Sequence, residues 1–314
     1  MAEQTKSILR NVMGNYMLEL GGKNEKVLVV NADLMGTCRN KTFVEAYPKR
    51  SFNVGIAEQN SVSFAAGLAH EGFVPYVFGM AQFVSMRACE QVRTDVAYGN
   101  LPVCFVTTYA GLSGGISGAT HWAVEDCAIV SAMPNMTVFE PSDAVQAKRM
   151  LDFSLNYDKP LYIRSSVEAV ADRYGNDYCI EVGGSTVARQ GDDGAFLCSG
   201  VVVQYALEAA ERVFAKTGKQ IRVVDMYSIK PVDKTAILSA AKTGHIIVAQ
   251  DHAVIGGLGS MVAQVLSEES ITVDFKILGI PDYFETMAHA PYLYHKFGYD
   301  ADGLEKEMLK MIEK

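Results

Sequence analysis

The sequence predicts an α/β protein of two domains built on parallel sheets. Short apolar runs alternate with longer stretches of helical spacing, the pattern expected when strands cross over through helices into a parallel sheet covered on both faces. The alternation lapses once, in the charged and Gly-rich stretch from Ser166 to Gly184, and then resumes. The 314 residues, 49% of them apolar, are enough for two cores at roughly 150 residues to a domain.

In the first domain, residues 1–165, strands are expected over Val27–Val30, Val74–Phe78, Val103–Thr107, Thr137–Glu140 and Leu161–Arg164. Helices are expected over Arg10–Leu20, Ala57–Ala69, Met86–Ala97, Trp122–Met133 and Asp143–Asn156, several with Asp, Asn or Ser near their start. Residues 166–184, with Asp172-Arg173-Tyr174-Gly175-Asn176-Asp177, read as a linker. The smaller second domain, residues 185–314, has expected strands Ala195–Ser199, Ile221–Asp225, His245–Gln250 and Thr272–Ile277. Its expected helices are Val202–Lys216, Lys234–Lys242, Ser260–Ser267 and Gly303–Lys314.

A net charge of -8 argues against a nucleic-acid surface and leaves room for a local cationic pocket and small anionic substrates. The cysteines at 38, 89, 104, 127, 179 and 198 form no Cys-x-x-Cys pair and read as small apolar residues of a reducing compartment, not zinc ligands. The polar start Met1-Ala2-Glu3-Gln4-Thr5-Lys6 and the lack of an apolar run of about eighteen residues predict a cytoplasmic protein without membrane attachment.

Glu58, in Gly55-Ile56-Ala57-Glu58-Gln59, stands at the mouth of the apolar stretch Ser61–Ala69. A carboxyl facing a desolvated cleft favours its neutral form and can share a proton with a ring nitrogen. The segment Gly111–His121 follows an apolar strand and carries four glycines, as suits a loop that lets backbone approach a ligand at the carboxyl end of a parallel sheet. Inside it, Gly111-Leu112-Ser113-Gly114-Gly115 formally matches the Gly-x-Ser-x-Gly elbow, with Asp251 or His289 as conceivable partners, so a serine hydrolase is an alternative. His121, at the start of the helix expected from Trp122, is a candidate to donate to substrate oxygen or shuttle protons. Gly256-Gly257-Leu258-Gly259-Ser260 lacks Rossmann or P-loop spacing and reads as a tight turn into a helix. Phe83 fits either a core position or a ring that stacks on a flat heterocycle. Arg10, Arg87 and Arg164 are candidate cations near a cleft, Arg164 because it ends a strand.

Taken together these segments resemble the C-terminal half of the transketolase family, a thiamine-diphosphate pyrimidine-binding domain followed by the transketolase C-terminal domain. The resemblance rests on Asn31-Ala32-Asp33-Leu34, Gly55–Gln59, Phe83 with Arg87-Ala88-Cys89-Glu90-Gln91-Val92, Gly118-Ala119-Thr120-His121, Pro141-Ser142-Asp143 and Ile229-Lys230-Pro231-Val232-Asp233. It implies that Glu58 hydrogen-bonds N1′ of the aminopyrimidine and so starts the proton relay to the thiazolium C2. It further implies that Phe83 stacks on the pyrimidine, that Asp33 and Arg87 lie at the cofactor, that His121 contacts substrate, and that Arg164 and Arg10 bind substrate phosphate.

The family holds the cofactor diphosphate through Mg²⁺ on a Gly-Asp-Gly motif with a downstream Asn, and Gly191-Asp192-Asp193-Gly194 is not that motif. The resemblance therefore implies the C-terminal subunit of a split transketolase, active with an N-terminal subunit that carries the Mg²⁺ site and assembled as α2β2. In the loop that reads substrate, Tyr109 stands where the family has His and Ser117 where it has Asp, while Met80 replaces an aromatic residue. A branched or sulfonated ketose is then as reasonable a donor as xylulose 5-phosphate. The β subunits of 2-oxo acid dehydrogenases, 1-deoxy-xylulose 5-phosphate synthase and a non-catalytic structural subunit are the alternatives.

Overall fold

The structure, a computed structural model, describes residues 6–313. The strands in chain order are β1 (Lys6–Ile8), β2 (Val27–Asn31), β3 (Ser51–Asn53), β4 (Val74–Met80), β5 (Cys104–Thr108), β6 (Thr137–Phe139) and β7 (Leu161–Arg164). They continue with β8 (Ala169–Ala171), β9 (Thr186–Arg189), β10 (Gly194–Cys198), β11 (Ile221–Asp225), β12 (Ser228–Lys230), β13 (His245–Ala253) and β14 (Asp274–Ile280). A seven-stranded sheet has the order β12-β6-β7-β5-β4-β2-β3 and a five-stranded sheet the order β14-β13-β10-β11-β9, while β1 and β8 form a small antiparallel pair. Every pairing in the two large sheets is parallel except β12 on β6 and β9 on β11.

The first large sheet is closed by a strand from the second half of the chain. β12 pairs with β6, with Ser228 opposite Phe139, so the two domains share hydrogen bonds as well as packing. Both apolar clusters also cross the boundary: Phe139 and Ile163 share one with Phe196 and Tyr227, and Val138 and Tyr162 share the other with Leu197 and Ile229. In the central strands β2, β5 and β10 every residue is buried, as continuous apolar runs in a doubly covered sheet require.

The helices mostly fall where the spacing puts them, for example Leu9–Lys23, Glu58–His70, Ala144–Ser154 and Val202–Thr217. The last helix is Ala301–Ile312; the expected Lys314 and the polar Met1–Thr5 lie outside the described residues. Two expectations change. The stretch expected as a helix over Met86–Ala97 is a π-helical turn Phe83–Arg87, a short α segment Cys89–Gln91 and a second π turn Val92–Ala97, a distortion that recurs at functional sites. The helix expected from Trp122 starts only at Asp126, because Ala123 is bridged to Gly111 and the Val124 carbonyl accepts the Ala253 amide at 2.8 Å.

The stretch expected as a linker contains β8 and is stitched down. Asp143 accepts the amides of Arg173 and Tyr174 at 2.8 Å each, and the Tyr174 hydroxyl donates to Asp225 at 2.8 Å. Asp225 is fully buried and also accepts from Ser142 and Gln146. Burial pushes its carboxyl up to about 6 against the bonds from Ser142 and Tyr174. The folded protein therefore holds a proton on Asp225 that the unfolded chain has released, and this contribution falls as pH rises from about 4 to about 6. The stability advantage of wild type over Asp225→Asn is expected to shrink by on the order of 3 kcal/mol across that window. Urea unfolding of both proteins at several pH values measures it, and a gap independent of pH would refute it.

Among the described residues no helix is long and apolar enough to cross a membrane. Of the cysteines, Cys38, Cys104, Cys127 and Cys198 are buried, and burial pushes the Cys38 and Cys104 thiols up to about 12, which makes them inert packing groups.

Candidate cofactor cleft

A cleft of about 400 Å³ opens at the carboxyl ends of β2 and β4 and brings together Asp33, Glu58, Phe83, Arg87 and His121. Each arrives by a different route. Asp33 follows β2 with a positive φ of 60°, held by Asn53: the Asp33 amide donates to Asn53 Oδ1 at 3.0 Å and Asn53 Nδ2 returns a bond to Asp33 Oδ1 at 3.1 Å. Glu58 is the first residue of its helix, where the unpaired amides of the N-terminus favour an acidic side chain. Phe83 and Arg87 come from the π turn after β4, and His121 from the end of the Gly-rich loop.

Glu58 is only 3% exposed, and Arg87 Nη1 donates to its Oε1 at 2.8 Å. The sequence set Glu58 against a desolvated cleft without a counter-charge; the structure supplies one. The same guanidinium lies over the Phe83 ring, 4.3 Å from its centre, and is itself about half exposed. His121 meets Phe83 edge-on at 5.5 Å between ring centres, and its Nδ1 lies 2.9 Å from the Thr120 hydroxyl. A buried carboxylate and an aromatic face thus hold one planar group, with an imidazole beside the aromatic ring.

The remaining candidates stand elsewhere. Arg10 Nη1 donates to the Tyr109 hydroxyl at 2.9 Å and its guanidinium lies 5.5 Å from the centre of that ring. Tyr109 adopts a positive φ of 61°, and Arg10 Nε is buried with no protein acceptor, so this pair retains a free donor. Ser117 ends a short 3₁₀ turn in the loop and is exposed.

Arg164 requires a correction. It ends β7 as expected, but its side chain is fully buried. Nε and Nη2 bind Asp126 at 2.9 and 3.0 Å, Nη1 binds Glu140 at 2.7 Å, and Nη2 also reaches the Asp251 carbonyl at 3.1 Å. Burial alone would lower its pKa, and Asp126, Cys127 and Glu140 hold it well above the usual value. Its donors are spent inside the protein, so it cannot clamp a substrate phosphate. Glu140 in turn accepts from Ser199 and Gln250 of the second domain, at 2.6 and 2.9 Å. The strand end was legible in sequence, but which way its side chain turned was not.

The serine-hydrolase alternative also fails on geometry. The buried Ser113 hydroxyl donates to the Ala110 carbonyl at 2.8 Å, and Asp251 accepts from the Leu112 amide and the hydroxyls of Tyr294 and Tyr299. Neither bonds a histidine among the described residues. At Gly256–Ser260 the chain makes a tight turn, in which Ser260 Oγ accepts the Gly256 amide at 2.8 Å and Gln250 accepts the Leu258 amide at 2.8 Å.

Asn53 and Thr120 escaped the sequence reading, since each acts through a neighbour. For Asn53 a signal existed: Asn two residues before Gly is a turn pattern, and its Oδ1 accepts the Gly55 amide at 3.1 Å.

Fold and cleft define a two-domain α/β protein in which a buried carboxyl and an aromatic face line one cleft. Residues 6–172 match the family described as "Transketolase, pyrimidine binding domain" and residues 183–304 match "Transketolase, C-terminal domain". The chain belongs to the transketolase family and contains these two domains. It is 34% identical over 307 residues to the 6-deoxy-6-sulfo-D-fructose transketolase subunit of Clostridium sp. (strain MSTE9), covering 98% of this chain and 95% of that one. It is 35% identical over 307 residues to an apulose-4-phosphate transketolase subunit of Phocaeicola vulgatus, covering 97% of each. Among solved structures it resembles one described as a split gene transketolase, inactive beta4 tetramer, with a TM-score of 0.87, 35% identity and 99% of both chains covered.

Proposed function

We infer that this chain is the C-terminal subunit of a two-chain, thiamine-diphosphate-dependent transketolase, moving a two-carbon ketol unit from a ketose to an aldose. The observation that carries this is the Arg87 guanidinium, a flat group with N–H donors, stacked on Phe83 and bonded to Glu58. An aminopyrimidine is likewise flat and, with its ring nitrogen protonated, likewise an N–H donor, and the cleft residues fit it. Thiamine diphosphate, when bound, supplies the reactive carbon. Glu58 holds the proton at N1′ and Phe83 supports the ring. Arg87, half exposed, yields that place and flanks the cofactor, while Asp33, fixed by Asn53, borders it. His121 donates to a substrate oxygen, and Arg10 with Tyr109 offers donors to an anionic head group.

An N-terminal subunit supplies the diphosphate and Mg²⁺ side of the site, and the assembly is α2β2. Support comes from the relatives, which are separate subunits spanned by this chain almost end to end, and from the solved relative described as inactive when it is a β4 tetramer. Titration calorimetry is expected to show no tight Mg²⁺-dependent thiamine diphosphate binding by the isolated chain, with both binding and turnover appearing on addition of the partner. Tight binding by the chain alone would sink the two-chain reading.

The donor is a branched or sulfonated ketose rather than ordinary xylulose 5-phosphate, a preference supported by Tyr109 and Ser117 and by the substrates in the relatives' names. On a panel of donors, Tyr109→His with Ser117→Asp is expected to improve xylulose 5-phosphate relative to the others. If xylulose 5-phosphate is already the best donor and the double variant changes nothing, the preference is wrong.

A further inference from the structure

We propose that Asp251, from the second domain, is the positioning residue of the Gly111–His121 loop, so that the second domain sets where the substrate-facing residues of the first domain stand. The loop is closed at its base by Gly111 and Ala123, which exchange both backbone hydrogen bonds at 2.9 and 3.2 Å. Asp251 sits under that closure, on β13. Its Oδ1 accepts the Leu112 amide at 2.9 Å and the Tyr299 hydroxyl at 3.0 Å, and its Oδ2 accepts the Tyr294 hydroxyl at 2.9 Å. It is 2% exposed, and three donors converging on a buried carboxylate leave it little freedom.

The loop is shaped to receive this carboxylate. Gly111 has a φ of +62°, and a Cβ there would lie 2.1 Å from the Asp251 carboxyl carbon, so only glycine permits the approach. Further along, a Cβ on Gly115 would lie 2.1 Å from the Ala288 carbonyl, and the Gly115 carbonyl accepts the Trp122 indole N–H at 3.2 Å. Two glycines of the loop are therefore pressed against the second domain, and the loop delivers His121 to the edge of Phe83. Asp251 lines no part of the cleft itself; it acts through the backbone it holds.

The role assigned to the loop rests on the transketolase reading, and the test separates the two. In the isolated full chain, Asp251→Asn is expected to speed hydrogen exchange at the amides of residues 112–120 by ~10-fold or more, with β4 and β11 unchanged. In the two-chain enzyme it is expected to raise the ketose KM by ~10-fold, leaving kcat and thiamine diphosphate affinity within about twofold. Should Asp251→Asn not fold, Tyr294→Phe, which removes one donor, carries the same measurements with smaller changes of the same sign. The proposal is overturned if the loop amides exchange at the wild-type rate, if the whole second domain loosens with them, or if KM, kcat and cofactor affinity all move together. A wild-type two-chain enzyme that transfers no ketol unit refutes the transketolase reading instead, and the exchange measurement then decides the role of Asp251 alone.

Discussion

Glu58→Gln in the two-chain enzyme is expected to keep the fold and to slow hydrogen–deuterium exchange at the cofactor C2 by at least ~10²- to 10⁴-fold, the range of a lost general acid–base group. The amide has the size of the carboxyl and its oxygen can still accept a hydrogen bond, so the helix that starts at residue 58 has no reason to move. What it lacks is an oxygen that can take and return the proton at N1′. Glu58 has almost no contact with water, which leaves no ready solvent substitute for the relay. Exchange at the wild-type rate would remove Glu58 from the mechanism.

The second large effect is on stability. Arg164→Met should destabilise the protein by ~3–5 kcal/mol, because it leaves Asp126 and Glu140 buried without their cation. Much of that loss should return when Asp126→Asn and Glu140→Gln are added, since the neutral triple variant buries no unpaired charge. Thermal and urea unfolding of the single and triple variants give the comparison. A single variant as stable as wild type that only raised KM for anionic sugars would restore Arg164 to the phosphate site and overturn the buried network.

Those two residues show where sequence was sufficient and where it was not. The place of Glu58, buried at the head of its helix and in a cleft, was legible because the signal is local: an acid just after Gly55-Ile56-Ala57, facing an apolar helix, is unusual wherever it occurs. The large sheets were legible for the same reason, since the runs at β2, β4, β5, β10 and β11 are apolar through most of their length. Arg164 was read by position alone, and position fixes the end of a strand but not the partners its side chain finds. Asp126 and Glu140 lie 38 and 24 residues away in sequence, and nothing local announces them. The short strands β1, β3, β8, β9 and β12 were missed because each is only partly buried and its strand character comes from the neighbour it pairs with, whereas β6 and β7, as short, are buried along their whole length and read as apolar runs. The start of the helix at Asp126 belongs to the same class, displaced by a bridge to Gly111.

The strand β12 constrains how this protein could be cut or recombined. Its residues follow β11 in the second domain yet complete the edge of the first sheet beside β6. A break placed between residues 172 and 183 would leave one fragment with a bare sheet edge at β6 and the other with an unpaired strand, each prone to stick to whatever strand it meets. Such fragments should be recoverable together and poorly behaved apart. A chimera that exchanges the second domain for that of a relative would likewise have to keep three seams matched at once: Ser228 with Phe139, Glu140 with Ser199 and Gln250, and Asp251 with Gly111. The first sheet is finished only by a strand of the second domain, so the two are best exchanged together.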